Sequence, residues 1–263
     1  MQITLIPGFN PGPFTGAGNN TYLFSGKTAT LLDAATGESA HLCALAEALG
    51  VTPLAQVLIT HAHADHVAGC GPIAARWSDT AFKKMRWPEQ DRLQSVTFTP
   101  IADGDLLQAG DGTLRAVHTP GHAPDHLCFH DESTDTLLCG DLVVPGGSVV
   151  IPVSRGGSLS QYLASLRHVQ ALCLSRMLPA HGEAIDAPEV VLQSYLDHRQ
   201  RREDQIVAAL KAGVRRPEAI VARLYEGIER RLWGMAQESV MAHLVKLREE
   251  SRVRSDGTEW ELC

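Results

Sequence analysis

Ile59-Thr60-His61-Ala62-His63-Ala64-Asp65-His66-Val67-Ala68-Gly69 sets three imidazoles and one carboxylate within six positions. They follow the apolar run Val57-Leu58-Ile59, which reads as a buried strand. Packing offers no reason to crowd four such groups at a strand end. Imidazole and carboxylate without a neighbouring thiolate suit a catalytic site for a borderline divalent ion such as zinc, iron or manganese, rather than a closed Cys-rich structural site. On extended backbone His61 and His63 project to the same side, and the following turn carries Asp65 and His66 toward a second point. Two neighbouring metal positions are therefore expected, against the plain alternative of solvated loop histidines.

Working outward, the 263 residues suffice for one large domain, or a medium domain with a small appendage, and for a proper core. The net charge of −7 argues against general nucleic-acid binding through bulk electrostatics. Six cysteines at 43, 70, 128, 139, 173 and 263 form no CxxC pair and read as reduced thiols of a cytoplasmic protein. The N-terminus lacks a leader pattern and no run spans a bilayer, so neither secretion nor membrane insertion is expected.

Upstream of the cluster, Ile3–Ile6, Thr21–Phe24 and Ala29–Leu32 read as strands, 7–18 as a Gly/Pro-rich loop and Glu38–Leu49 as an amphipathic helix. Downstream, Val67–Trp77 is expected to be helical and 78–100 to be a polar surface excursion or a substrate-facing lip. Strands follow at Thr113–His118, His126–Phe129, Thr136–Cys139 and Arg176–Leu178, with a helix at Leu159–Leu174. These strands run into His122, Asp141 and His181, so seven candidate ligands could meet at one edge. Before Tyr195 lie 10 of the 23 basic and 18 of the 30 acidic residues, which places a boundary there. Helices at Tyr195–Lys211, Pro217–Tyr225 and Ser239–Arg248, then a hairpin turning at Asp256-Gly257, spell a winged helix. The expected domains are 1–194, catalytic, and 195–263, winged-helix-like.

The order THxHxDHxxG, TPGH, GD and HG resembles the metallo-β-lactamase superfamily through about residue 190. That resemblance implies an α/β fold, a four-layer αβ/βα sandwich, with the metals at one end of two sheets. It implies His61, His63 and His122 on one ion, Asp65, His66 and His181 on the other, and Asp141 bridging. Asp33 would be the carboxylate that fixes a ligand histidine. Aspartate rather than cysteine at 141 disfavours antibiotic hydrolysis. Asn10-Pro11-Gly12-Pro13, Gly18-Asn19-Asn20-Thr21-Tyr22-Leu23, the TPGH stretch with Asp125-His126, and His243-Leu244-Val245-Lys246-Leu247 resemble the β-lactamase-like endoribonucleases of animal mitochondria and their bacterial and fungal relatives. Some of the fungal relatives are thioesterases acting on carrier proteins.

Two cations, zinc by preference with iron or manganese as alternatives, would share a water, lower its pKa and present it as a bridging hydroxide to a carbonyl or phosphoryl centre. Asp65 and Asp141 would take catalytic roles, orienting that oxygen and holding the ions together. The expected reaction is hydrolysis of an ester, thioester or lactone in a small-molecule or acyl-carrier substrate. Cleavage of single-stranded RNA is the alternative, with Lys83, Lys84 and Arg86 as a basic track. A one-iron dioxygenase and a nucleic-acid-binding regulator rank below these. His126 is read as pocket-lining or solvent-facing; His41, His118, His130, His168, His198 and His243 as ordinary surface or core residues. Arg199, Arg201, Arg202, Arg215 and Arg216 read as a solvated helical face. The C-terminal unit is expected to serve packing, homodimerisation or lid formation.

Overall fold

The computed structural model describes residues 1–13 and 15–263. The loop expected over 7–18 is present apart from Phe14, which lies outside the described residues. The first sheet contains β1 (Gln2–Pro7), β2 (Asn20–Ser25), β3 (Thr30–Leu32), β4 (Gln56–Leu58), β5 (Ala81–Lys84) and β6 (Phe98–Pro100), hydrogen-bonded in that order. The pairs from β1 to β3 are antiparallel and those from β3 to β6 parallel. The second sheet contains β7 (Leu106–Ala109), β8 (Gly112–His118), β9 (Leu127–Asp131), β10 (Thr136–Gly140) and β11 (Arg176–Pro179), with only the β10–β11 pair parallel.

Period-two alternation assembles these sheets into four layers. Tyr22, Phe24, Leu32 and Leu58 point inward from the first sheet and meet Leu114, Ala116, Leu127, Phe129 and Leu138 of the second. Their neighbours Leu23, Leu31 and Val57 point the other way, onto α1 (Ser39–Leu49) and α3 (Cys70–Arg76). On the far side Val117, Cys128, Leu137 and Cys139 pack against α5 (Leu159–Gln170) and the start of α6 (Pro188–Lys211). Among the described residues of this body, the other α-helices are α2 (Ala64–Val67) and α4 (Pro88–Asp91).

The C-terminal unit has its own core, built from the end of α6, α7 (Pro217–Leu224), α8 (Trp233–Glu249), β12 (Val253–Ser255) and β13 (Trp260–Leu262). The boundary expected at 194/195 falls inside α6, which starts at Pro188, a residue suited to a first helical turn. Leu192 and Tyr195 of this helix belong to the core of the large body, whereas Ile206, Ala209 and Leu210 belong to the small one.

Three expectations need correction. The helix expected over Val67–Trp77 is the shorter α3, which starts at Cys70; α2 ends at Val67, and between them stands Gly69, packed so close to the Ala34 carbonyl that a Cβ would collide with it. The stretch 78–100 is a surface excursion only over 85–97, because its flanks supply β5 and β6, and Lys84 is fully buried. Arg199 is not part of a solvated face but 3% exposed.

Candidate metal centre

The cluster forms where β4 leaves the first sheet. His61 and His63 occupy the extended link, His63 stands at the N-cap of α2, and Asp65 and His66 lie in that single turn. His122 comes from the loop between β8 and β9, Asp141 directly follows β10, and His181 follows β11. Both sheets thus contribute, and all seven expected side chains meet.

Two groups result. His61 Nε2 lies 2.9 Å and His122 Nε2 2.8 Å from His63 Nδ1. Beside them, His181 Nε2 lies 3.3 Å from both Asp65 Oδ2 and Asp141 Oδ1. His66 Nε2 lies 3.4 Å from Asp65 Oδ2 and 3.5 Å from Asp141 Oδ1, while the other Asp141 oxygen is 3.5 Å from His122 Nε2. Asp141 therefore touches both groups. Within each of the triads His61/His63/His122, His61/His66/Asp141 and Asp65/His66/His181, the donor atoms all lie within 4.8 Å of one another.

Hydrogen bonds behind the cluster fix which nitrogens are bare. Asp33, buried and with φ of 60°, accepts from the Thr60 amide at 2.8 Å and from His66 Nδ1 at 2.8 Å, which leaves His66 Nε2 free to face the carboxylates. The Thr60 hydroxyl donates to Asp33, so its lone pair accepts from His61 Nδ1 at 3.1 Å. His122 Nδ1 donates to the Val150 carbonyl at 2.8 Å. His61 Nε2 and His122 Nε2 are consequently both lone pairs turned toward His63.

This donor set fits metal ions. Two bare nitrogens facing a third leave the contact short of protons, and a cation would satisfy all three. Nitrogens about 2.1 Å from a tetrahedral ion stand roughly 3.4 Å apart, so modest opening would seat one. In the second group, His66 Nε2 and Asp141 Oδ1 are buried without hydrogen-bond partners.

Protonation follows the same division. Burial, reinforced by neighbouring imidazoles, pushes His61 well down and His63 to about 3, and burial also lowers His122. Burial would raise Asp65 and Asp141, but the charge on His66 holds both carboxyls well below their usual range, with the Asn19 bond adding to it at Asp65 and the nearby His181 at Asp141. Burial likewise opposes protonation of His66, yet Asp33, Asp65 and Asp141 together raise it well above its usual value.

Several partners escape a reading of residue spacing. His126 is neither pocket-lining nor solvent-facing; it is fully buried, accepts from the Asp141 amide at 3.0 Å and bonds Thr119 Oγ1 at 2.8 Å. Gly140, at φ 49°, makes room for it, since a Cβ there would lie 2.7 Å from His126 Nε2. Asn19 donates to Asp65 Oδ2 at 3.2 Å and is clasped by Asn10. Both asparagines lie in the NPGP and GNN stretches, which were the available signal. Lys84, expected on a basic track, is engaged by Asp91 at 2.6 Å and Asp125 at 3.0 Å.

Comparison with known proteins completes the picture. The family described as "Metallo-beta-lactamase superfamily" matches residues 14–181. The chain belongs to the metallo-β-lactamase superfamily. "Beta-lactamase associated winged helix domain" matches 217–260, in agreement with the C-terminal unit. Lactamase-like protein vrtG of Penicillium aethiopicum is 32% identical over 247 residues, covering 93% of this chain and 77% of its own. An atrochrysone carboxyl ACP thioesterase of Aspergillus fumigatus is 36% identical over 207 residues, 76% of this chain but 46% of its own. A crystal structure of a metallo-beta-lactamase family protein from Thermus thermophilus has the same fold, with TM-score 0.81 and 22% identity over 99% of this chain and 98% of that one. The chain is a metallohydrolase of this superfamily, and among the described residues no helix is long and apolar enough to cross a membrane.

Proposed function

We propose that this metallo-β-lactamase superfamily hydrolase, cytoplasmic with its six unpaired cysteines, cleaves an ester, thioester or lactone at a dinuclear centre, with zinc as the metal and an acyl thioester, free or on a carrier, as the first substrate to try. One observation carries the reading: two three-donor groups share Asp141. His61, His63 and His122 would hold one ion, Asp65, His66 and His181 the other, and Asp141 both. The catalytic unit is assigned to 1–194 and the winged-helix unit to 195–263. When bound, the two cations would supply a water of lowered pKa and Lewis acidity toward the scissile carbonyl.

The chain's own residues do the rest. Asp65, kept ionised by His66, His181 and Asn19, offers a carboxylate oxygen that accepts a hydrogen bond from the attacking water and so orients it. Asp141 draws the two groups together, while Asp33 fixes the ring of His66 and, through Thr60, that of His61. The thioesterase relative favours a thioester, and the aspartate at 141 disfavours a lactam. Burial of Lys84 between two carboxylates weakens the ribonuclease alternative, because it removes one of three cations from the track that RNA would need.

The test is a screen of zinc-reconstituted protein over acyl thioesters, aryl esters, lactones, phosphodiesters and short RNAs. Thioester or ester turnover, lowered on the order of 10³-fold in His63→Ala, is expected. Cleavage of RNA alone would overturn the substrate class, and absence of zinc uptake would overturn the centre.

A further inference from the structure

The loop between β10 and α5 carries Val150, whose carbonyl orients His122, and it is gripped by the C-terminal helices at three points. Tyr195 of α6 clasps Val144, its hydroxyl accepting from the Val144 amide and donating to the Val144 carbonyl, each at 2.8 Å. One helical turn later on the same face, Arg199 donates from Nη2 to the Val149 carbonyl. Glu238 of α8 accepts from the amide and hydroxyl of Ser154.

Arg199 is a costly residue for a merely structural grip. Its guanidinium is buried with Nε unpartnered, lies 5.4 Å from the Tyr162 ring and, among the described residues, is paired with no carboxylate. It nevertheless fixes the peptide next to the one that holds His122.

We infer that Arg199 is a positioning residue for the metal centre: with Tyr195, it holds residues 144–150 so that the Val150 carbonyl keeps the His122 proton on Nδ1 and its Nε2 lone pair on the His61/His63 side. The winged-helix unit, which shares α6 with the catalytic body, is thereby built into the metal centre rather than hung on it. This rests on the reading of His122 as a ligand.

The direct variant is Arg199→Met in the full chain, which keeps most of the side-chain volume but cannot donate. Zinc competition against a chromophoric chelator reads the two affinities, and proton–nitrogen NMR of the metal-free protein reads the His122 tautomer. Expected are about tenfold weaker binding at one of the two sites, the other within twofold, a tautomer mixture at His122, and recovery of both readouts in Arg199→Lys. Tyr195→Phe, a milder change that stands in should Arg199→Met fail to fold, is expected to weaken the same site about threefold. Unchanged affinities and tautomer in whichever of these variants folds, or equal weakening at both sites, would overturn the inference. If the native chain bound no zinc, the proposed function would fall, while the tautomer readout would still decide whether Arg199 orients the ring.

Discussion

The His61/His63/His122 group and the Asp65/His66/His181 group lie side by side, yet one is made of neutral nitrogens and the other is rich in charge. In the first, burial keeps the imidazoles unprotonated, His63 down to about 3, so the ligand form exists before any ion arrives. In the second, Asp33, Asp65 and Asp141 surround His66 and hold a proton on it in the metal-free chain. On the proposed reading, the difference teaches that one half would be ready for a cation, while the other would hold a proton where its ion is to bind. Asp141, touching both, is where they communicate.

Removing one proposed ligand from each half should have the largest effect. His63→Ala and Asp65→Ala should each lower turnover on the order of 10³-fold, because several kcal/mol of transition-state stabilisation depend on a complete pair. Elemental analysis should find close to one zinc in each folded variant; two in either would contradict the division. A gentler cut falls behind the ligands. Asp33→Asn should weaken binding about 10- to 100-fold, mainly in the carboxylate-rich half, since it loosens His66 directly and His61 only through Thr60. Equal weakening of both sites in a zinc titration would show that the halves are not separate.

Acidity sharpens the contrast. His66 has its metal-free pKa raised, so an ion must displace that proton; affinity at the second half should rise with pH up to the raised value and fall as acid restores the proton. The first half should keep its ion further into acid, consistent with His63 near 3. Because His181 is also raised by Asp65 and Asp141, calorimetry in buffers of different ionisation enthalpy should show more protons released at the carboxylate-rich half than at the other. The smallest effect expected is that of Asn19→Ala, which removes a single hydrogen bond to Asp65: about 1 kcal/mol, or roughly fivefold in turnover. No change would show that Asp65 needs no help from the N-terminal loop.

Most of this architecture can be read from the chain itself, for a physical reason. The candidate ligands at strand ends follow apolar runs whose period is plain, and His61, His63, Asp65 and His66 sit within a single link and turn. What escapes is what depends on partners distant in sequence. Lys84 looks like a surface lysine until Asp91 and Asp125 close on it, and the strands flanking 84–98 are hidden because β5 and β6 are short. His126 gives no periodic sign that its ring will back Asp141 across 15 residues. Arg199 sits among other arginines on a polar helix, and only the packing of α6 against the 144–150 loop reveals it as buried.

The proposed centre is two adjoining cation sites joined through one carboxylate. Anomalous diffraction from crystals grown with zinc addresses it most directly. Two peaks are predicted, one among His61, His63 and His122 and the other among Asp65, His66 and His181, with Asp141 in contact with both. A single peak, or two peaks with Asp141 turned away from either, would contradict it.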